Sequence, residues 1–381
     1  MNEAATPESD RIEGAPHPRE TLQLIGQQAA ETGFLTAMKG GRLHHGWLLT
    51  GPRGIGKATL AWRIARYLLA LPEAALPGLL DESPLLHETL DVSPDNPVAR
   101  RILAGSEPRL FVLRRAWDSE RKRLRTSISV DDVRRLKSFF HLSAADGGRR
   151  VAIVDSADEM NTSAANALLK MLEEPPAGVI LLLVSHQPSG LLPTIRSRCR
   201  QLHLAPLSAS DMAQAMAAAG IEKSGSAALA ALAGGSVGAA IRLKNLDGLH
   251  AYAAIVALFS TLPRLDRPQA LKLAESVSGR GQEPRFDLLT MLMDMFLARL
   301  ARSGVMGPPE LEAAPGEAAL MARLSPDAVA ARCWADLHQG LGARSRHGKA
   351  VNIDPAALLL DMILKIDESA SQLAKRLESS S

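Results

Sequence analysis

The fold of this chain is decided by the stretch Trp47-Leu-Leu-Thr-Gly-Pro-Arg-Gly-Ile-Gly-Lys57. Its apolar start predicts a buried strand, and the periodic segment from Ala58 to Leu71 predicts a helix. A glycine loop between a strand and a helix turns backbone N–H groups toward phosphate, and a lysine at its end reaches the terminal phosphates. The candidate nucleotide-binding residues of the loop are Gly51, Gly54, Gly56 and Lys57.

Strands and helices alternate around this loop. One helix is predicted over Leu22–Met38, ended by Gly40-Gly41, and another over Val130–Phe140, with Ser129 as its N-cap. Further strands are predicted at Leu110–Leu113, Val151–Val154, Val179–Val184 and Gln201–Leu204, and a further helix at Ser163–Leu172. This order predicts an α/β fold whose parallel sheet is covered by helices on both faces.

The chain divides into four parts by composition. Residues 1–16 are polar, lack an apolar period and are predicted to form a disordered tail. The α/β domain with the phosphate loop is predicted over residues 17–207. Strand patterns then cease: residues 208–244 predict a small domain of three short helices, and residues 245–381 predict an all-α domain of longer helices.

The amino-acid composition indicates a protein with packed cores and argues against disulfide-rich and membrane-spanning classes. The hydrophobic fraction of 46% is enough for packed cores, and a net charge of +3 does not by itself point to nucleic acid. The two cysteines, Cys199 and Cys333, are too few for a disulfide framework or a four-cysteine zinc site, so we expect free, buried thiols. No apolar run has transmembrane length, and we expect a cytoplasmic protein without a membrane partner.

Two positions near the loop lack the residues that hydrolysis needs. Asp155 ends a predicted strand where a phosphate-loop ATPase holds Mg²⁺, but the next residue is Ser156, which has no carboxylate to orient a water. Ala58 follows Lys57 where Mg²⁺ binding calls for a hydroxyl. The loop therefore either holds nucleotide or is an inherited loop that stays empty or takes an adventitious anion, and Asp155 is either a metal ligand or a strand-end cap.

One arginine, Arg198, lies in Ser197-Arg-Cys199 just before a predicted strand. The planar guanidinium suits a γ-phosphate, and an arginine finger supplied across an interface accelerates phosphoryl transfer by roughly 10³–10⁵. The alternative is a surface arginine paired with a neighbouring carboxylate, which contributes under about 1 kcal/mol. Position alone leaves both interpretations open.

The motifs together resemble the clamp-loader branch of the AAA+ ATPases. They are His44-His-Gly-Trp-Leu-Leu-Thr-Gly-Pro-Arg-Gly-Ile-Gly-Lys57, Asp155 to Asn161, Asn166-Ala-Leu-Leu-Lys170, Glu173-Glu-Pro-Pro176 and Thr194-Ile-Arg-Ser-Arg-Cys199, in that family's order and spacing. The resemblance covers about residues 18–245. It implies an AAA+ P-loop domain over 17–207, a helical lid over 208–244 and a helical collar for oligomerisation over 245–381.

Within that family the chain is similar to the delta-prime, or stator, branch. Motor subunits carry Ser or Thr where this chain has Ala58, Glu where it has Ser156, a phosphate-sensing arginine where it has Gly238, and four zinc-binding cysteines. The resemblance implies that Arg198 acts in trans, on ATP held by a neighbouring subunit, and that this chain has no independent ATPase activity. It also places Ser185 at the family's polar sensor position, where a plain strand-end hydroxyl is the alternative.

The partners that the resemblance implies are the gamma/tau and delta subunits of the DNA polymerase III clamp loader, the sliding clamp (beta) and, through the complex, primed DNA. No cofactor is required, ATP and Mg²⁺ binding by this chain is not expected, and no zinc is expected. Two alternatives remain: a motor-type subunit that hydrolyses ATP, and a non-catalytic DNA-binding adaptor. The role of the Pro-rich 72–128 segment, whose Arg121-Lys-Arg123 and Arg125 face either DNA phosphates or solvent, stays open at this point.

Overall fold

The structure is a computed structural model that describes residues 8–40, 43–71, 88–141, 148–221, 225–279, 281–351 and 353–380. It forms two compact units. The first holds the described residues up to Ile221 together with Gly234–Ile241, and the second holds those of 222–233 together with Arg242 onward. The domain boundaries at residues 207 and 244 stay predictions.

A five-stranded parallel sheet organises the first unit, in the order β2-β5-β6-β1-β7. Its strands are β1 (Gly46–Thr50), β2 (Leu110–Leu113), β5 (Arg150–Asp155), β6 (Val179–Val184) and β7 (Arg200–His203). All four strand pairings in this sheet are parallel. A short antiparallel hairpin joins β3 (Trp117–Asp118) to β4 (Arg123–Leu124). The predicted α/β fold with a parallel sheet is confirmed.

Helices cover both faces of this sheet because successive strand residues point to opposite sides. Trp47 packs in one hydrophobic cluster with Phe34 and Leu60, and Leu48 packs in the other with Leu136 and Leu168. The helices of this unit are α1 (Gln28–Lys39), α2 (Lys57–Ala70), α3 (Pro97–Leu103), α4 (Val130–His141), α5 (Thr162–Glu173), α6 (Pro193–Ser197) and α7 (Ala209–Ala218).

The first helix begins later than the sequence pattern predicted. Residues 22–27 are not helical, and α1 starts at Gln28. The cause is Gln27, whose side-chain amide donates to the carbonyl oxygens of Ile55, at 3.3 Å, and Ala205, at 2.8 Å. These bonds hold the segment against the glycine loop in a conformation that the apolar period of the sequence did not reveal.

The segment predicted as a disordered tail makes specific contacts in its described part, residues 8–16. Glu8 and Asp10 bind the guanidinium of Arg114 and the ring of His17, which lies just beyond the tail. A polar composition predicted disorder because it offers no apolar surface to bury, but here partly buried ion pairs hold the segment in place. Residues 1–7 lie outside the described residues.

The second unit consists of helices in its described part. They are α8 (Ser226–Ala233), α10 (Gly248–Ser260), α11 (Arg267–Glu275), α12 (Glu283–Met306), α13 (Glu317–Leu324), α14 (Ala328–Ala350) and α15 (Pro355–Ser380). Helix α9 (Val237–Asn245) begins in the first unit and ends in the second. The predicted all-helical C-terminal region is confirmed. Among the described residues, every helix is too short or too polar to cross a membrane.

Candidate functional site

The glycine loop connects the carboxyl end of β1 to the amino end of α2, as the sequence predicted. Gly54 and Gly56 have φ angles of +80° and +102°, which favour glycine over any residue with a side chain. The loop, Asp155 at the end of β5 and Ser185 just after β6 all lie at the carboxyl edge of the sheet, where neighbouring parallel strands present their last residues together. The structure thus brings the predicted loop residues, Asp155 and Ser185 to one edge.

The lysine of the loop points back into the loop. Lys57 is 2% exposed, and its ammonium donates to the carbonyl oxygen of Gly51 at 2.6 Å and to that of Pro52. Burial lowers the pKa of Lys57 to about 8, against the opposing effect of the Asp158 and Asp155 carboxylates. The charge that would meet a terminal phosphate is therefore bound to the loop's own carbonyl groups.

Asp155 lies in a buried polar chain. Its Oδ1 accepts from the Ser156 hydroxyl at 3.3 Å, and Ser156 Oγ lies 2.9 Å from His186 Nε2. Burial, and next the charge of Asp10, raise the pKa of Asp155 to about 7. A carboxyl group that keeps its proton near neutral pH is a poor ligand for Mg²⁺, which prefers ionised oxygens.

Ser185 is buried, and its backbone N–H donates to the Leu49 carbonyl at 2.9 Å. Within the described part of the chain, its hydroxyl has no hydrogen-bond partner. A buried hydroxyl without a partner costs about 1–3 kcal/mol, so such groups are uncommon outside functional sites. This orphaned hydroxyl is the one feature of the edge that still suits a polar ligand.

The start of α9 closes the loop from its other side. The Ser236 hydroxyl donates to the Arg53 carbonyl at 2.8 Å, and the Gly238 N–H donates to the Gly54 carbonyl at 2.9 Å. A Cβ atom on Gly238 would lie 2.8 Å from the Gly54 Cα. Position 238 therefore has no room for a side chain, and the arginine expected there in a motor subunit would not fit.

These residues do not fit a hydrolytic Mg-ATP site. Ala58 offers a methyl group where a hydroxyl would ligate the metal, and the Ser156 hydroxyl is bonded to its neighbours. The lysine is turned inward and the sensing position is filled by backbone. The next two carboxylates in the sequence are also occupied: Asp158 accepts from the His186 N–H at 3.0 Å and the Gln187 N–H at 3.1 Å. The Glu159 side chain is paired with Arg53 at 2.8 Å and with Arg115 at 2.6 Å.

Arg198 lies elsewhere, between α6 and β7. Its Nη2 is 3.0 Å from the Glu173 Oε1, and its Nη1 donates to the Thr194 carbonyl at 3.1 Å. The side chains of Arg198 and Glu173 are 39% and 42% exposed. The pair lines a shallow surface groove together with His44, His45, Leu172 and Glu174.

This groove and the glycine loop are at opposite edges of the sheet. His44 and His45 precede β1 and Arg198 precedes β7, whereas the loop follows β1. In the parallel register Trp47 lies beside Arg200 and Thr50 beside His203, so the two edges are separated by the length of a five-residue strand, roughly 15 Å. Arg198 cannot serve a nucleotide on this chain's own loop.

Several residues of these sites were missed in the sequence. Glu8, Asp10 and Arg114 meet only in the folded chain, and no local pattern marks them. Glu173, which pairs with Arg198, was noted only as part of a motif. The expectation of two buried thiols is wrong for Cys333, which is exposed, while Cys199 is half-buried and burial raises its pKa to about 12.

The sequence around the sheet and the glycine loop is similar to that of known proteins. Residues 26–208 match the family model described as "DNA polymerase III, delta subunit". The similarity to that family covers just under half of the chain. The matched DNA polymerase III delta family region spans the parallel sheet, the glycine loop, Asp155, Ser185 and Arg198.

Three relatives illustrate the similarity. The chain is 43% identical over 169 residues to DNA polymerase III subunit delta' of Pseudomonas aeruginosa, a match that covers 44% of this chain. It is 31% identical over 220 residues to subunit delta' of Escherichia coli, covering 57% of this chain. It is 30% identical over 271 residues to subunit tau of Salmonella typhimurium, covering 68% of this chain.

The chain spans about half of the length of these relatives. It covers 45% of the Pseudomonas protein, 60% of the E. coli protein and 38% of the Salmonella protein.

Proposed function

We propose that this chain is a delta-prime, or stator, subunit of a bacterial DNA polymerase III clamp loader. In this role it helps to place the sliding clamp on primed DNA and donates Arg198 to ATP held by an adjacent gamma/tau-type subunit. The match of residues 26–208 to the DNA polymerase III delta subunit family supports the proposal. The delta' and tau relatives support it as well.

The observation that carries the proposal is the separation of Arg198 from the glycine loop. The arginine is half-exposed in a groove at the amino edge of the sheet, and the loop is at the carboxyl edge. An arginine in this place meets a phosphate only if another molecule brings that phosphate to the groove. A guanidinium that is partly exposed and held by a surface ion pair and one backbone carbonyl can exchange these weak partners for that phosphate.

In the proposed role this chain does not itself hydrolyse ATP. Ala58, Ser156, Gly238 and the inward Lys57 support a subunit that hydrolyses no ATP alone and requires no cofactor. The scarcity of cysteine supports a subunit without zinc. The partners are the gamma/tau and delta subunits and the beta clamp, with primed DNA contacted through the complex, and the second unit serves as the collar.

Reconstitution tests this proposal. ATP hydrolysis by gamma/tau and delta would be measured with clamp and primed DNA, with and without this chain, and by this chain alone. We expect the chain to be silent alone and to stimulate hydrolysis by the others. Turnover by the isolated chain would support the motor-type alternative, and steeply salt-dependent binding of primed DNA by the lone chain without stimulation would support the adaptor.

A further inference from the structure

The segment before α1 wraps around the glycine loop. Arg66 of α2 donates to the Arg19 carbonyl at 2.6 Å, and Arg63 donates to the Leu22 carbonyl. A Cβ atom on Gly56 would lie 2.6 Å from the Leu24 Cδ1, so Leu24 rests directly on the loop. The path of residues 19–24 is therefore fixed by the helix that the loop begins.

Upstream of this path, two carboxylates are anchored at the carboxyl edge of the sheet. Arg114 follows the last residue of β2, and its Nη1 and Nη2 each lie 2.5 Å from a carboxylate oxygen, of Asp10 and Glu8 respectively. His17 Nε2 lies 3.2 Å from Asp10 and 3.3 Å from Glu8. Because β2 and β5 are paired with Leu113 beside Val154, this anchor lies one strand away from Asp155.

The anchor is an ion-pair cluster and not a metal site. Glu8, Asp10 and His17 are close enough to hold a cation. The backbone N–H of Arg19, however, donates to His17 Nδ1 at 3.1 Å, so Nε2 is the ring nitrogen that carries a proton, and it faces the carboxylates at 3.2 and 3.3 Å. Burial alone would raise the pKa of Asp10, but His17 and Arg114 outweigh it and lower that pKa, so Asp10 stays ionised.

Between the anchor and the later path, the chain crosses over the loop. A Cβ atom on Gly238 would lie 3.0 Å from the Ile12 Cδ1 and 2.8 Å from the Gly54 Cα. Ile12 therefore packs where the start of α9 meets the glycine loop. The short stretch from Asp10 to Ile12 therefore runs from Arg114, which follows β2, to the point where Gly238 contacts Gly54, and the Asp10 charge acts on Asp155.

We infer that this stretch, Glu8–Ile12, is an intramolecular occupant of the chain's degenerate nucleotide site and is what excludes nucleoside phosphates from it. This inference rests on one part of the proposed function, namely that the glycine loop derives from a nucleotide-binding site. A fixed, ionised carboxylate at Asp10 repels phosphate, and Ile12 fills the side where a sensing arginine would enter. The raised pKa of Asp155, which owes part of its shift to Asp10, agrees with a negative charge held over the site.

Two measurements on the full chain test this inference. The variant is Glu8→Gln/Asp10→Asn, which removes the charges that Arg114 holds, and its matched control is Glu120→Gln/Glu310→Gln, which removes two exposed carboxylates elsewhere. We expect amide hydrogen exchange over residues 51–57 to be at least about 10-fold faster in the variant than in wild type or control. We expect ADP, titrated without Mg²⁺, to bind the variant at least about 10-fold more tightly than wild type, and Lys57→Ala to abolish that gain.

Three results would contradict the inference. Unchanged exchange over the loop would show that the segment does not cover it. Faster exchange without ADP binding would show that the loop itself excludes nucleotide, and tight ADP binding by wild type would show that nothing excludes it. Should the double variant unfold, Asp10→Asn alone makes the same comparison. None of these outcomes touches Arg198, so this inference and the proposed function fail independently.

Discussion

Among single residues, Asp155 shows how a functional position changes its chemistry when its partners are lost. In an ATPase the Mg²⁺ ion would compensate a buried carboxylate at the end of β5. Here its compensation is one hydroxyl, from Ser156, and a lysine that is turned to the loop carbonyls. The buried charge is disfavoured, and the pKa of Asp155 rises to about 7.

This shift predicts a pH-dependent effect of Asp155→Asn. An unfolded aspartate ionises near pH 4 and the folded one near pH 7, so the ionised carboxylate destabilises the fold increasingly from about pH 4 to 7 and constantly above. We expect the substitution to raise the free energy of unfolding at pH 8 by about 1–4 kcal/mol and to change it little at pH 4. Urea denaturation at both pH values measures this. An equal effect at the two values would contradict the raised pKa.

The residue types at the site were predictable and their partners were not. The motif spacing located Gly51, Gly54, Gly56, Lys57, Asp155 and Ser185 at one edge, since parallel strands end together. It gave no sign that Lys57 binds Gly51 and Pro52, or that Arg198 pairs with Glu173. Such contacts depend on side-chain directions set by the whole fold. Whether these residues bind or act as predicted stays a prediction.

At the scale of elements, the junction between α9 and the glycine loop is governed by two glycines in close contact. The Gly238 N–H bonds the Gly54 carbonyl, and neither residue leaves space for a side chain on the other. The sequence placed a short helix here and noted the missing arginine. It did not show that position 238 packs against the backbone of the glycine loop.

A pair of Gly→Ala substitutions tests this junction. We expect Gly238→Ala to lower the free energy of unfolding by about 1–3 kcal/mol, because its Cβ would press on backbone at 2.8 Å. Gly340→Ala is the matched control within helix α14, where nothing lies within 4 Å, and it should stabilise by about 0.5–1 kcal/mol. Thermal unfolding of both variants and wild type measures these changes in stability. Similar effects of the two substitutions would show that the junction is looser than described.

The strands and helices predicted around the glycine loop have boundaries within one or two residues of those observed, except before α1, whereas α3, α6 and the β3–β4 hairpin were not predicted. The apolar period from Leu22 continued through residues that are not helical, because contacts of Gln27 and Leu24 with the loop override local propensity. The described part of the tail likewise makes specific contacts. Its order comes from Arg114, about a hundred residues away, and composition alone does not reveal so distant a partner.

For the whole molecule, the second unit has its own buried polar centre. Glu317 is fully buried and accepts from Arg299 Nε at 2.7 Å, Tyr252 Oη at 2.5 Å and the Ala313 N–H at 2.6 Å. Arg299 also donates to the Ala231 carbonyl at 3.0 Å, so the cluster ties α8 to α10, α12 and α13. Burial, with the Glu317 charge next, raises the pKa of Tyr252 and keeps its hydroxyl a donor.

Removing that carboxylate should destabilise the unit strongly. Glu317→Ala leaves the Arg299 guanidinium buried without its counter-ion, and we expect a loss of about 3–5 kcal/mol in the free energy of unfolding. Glu368→Ala, on an exposed position of α15, is the control and should cost under about 0.5 kcal/mol. Denaturant unfolding compares them. A loss below about 1 kcal/mol for Glu317→Ala would mean that the cluster contributes little.

The central claim is that this chain supplies an arginine to a neighbour's ATP. Clamp- and primer-stimulated ATP hydrolysis by the reconstituted complex tests it most directly, with Arg198→Ala compared with Arg100→Ala, an exposed arginine paired with Asp95 at 2.6 Å. A finger is worth roughly 10³–10⁵ at the site it serves, so Arg198→Ala should abolish turnover there while the complex still assembles and Arg100→Ala is silent. Unchanged turnover in an intact complex containing Arg198→Ala would contradict the claim and leave Arg198 a surface ion pair.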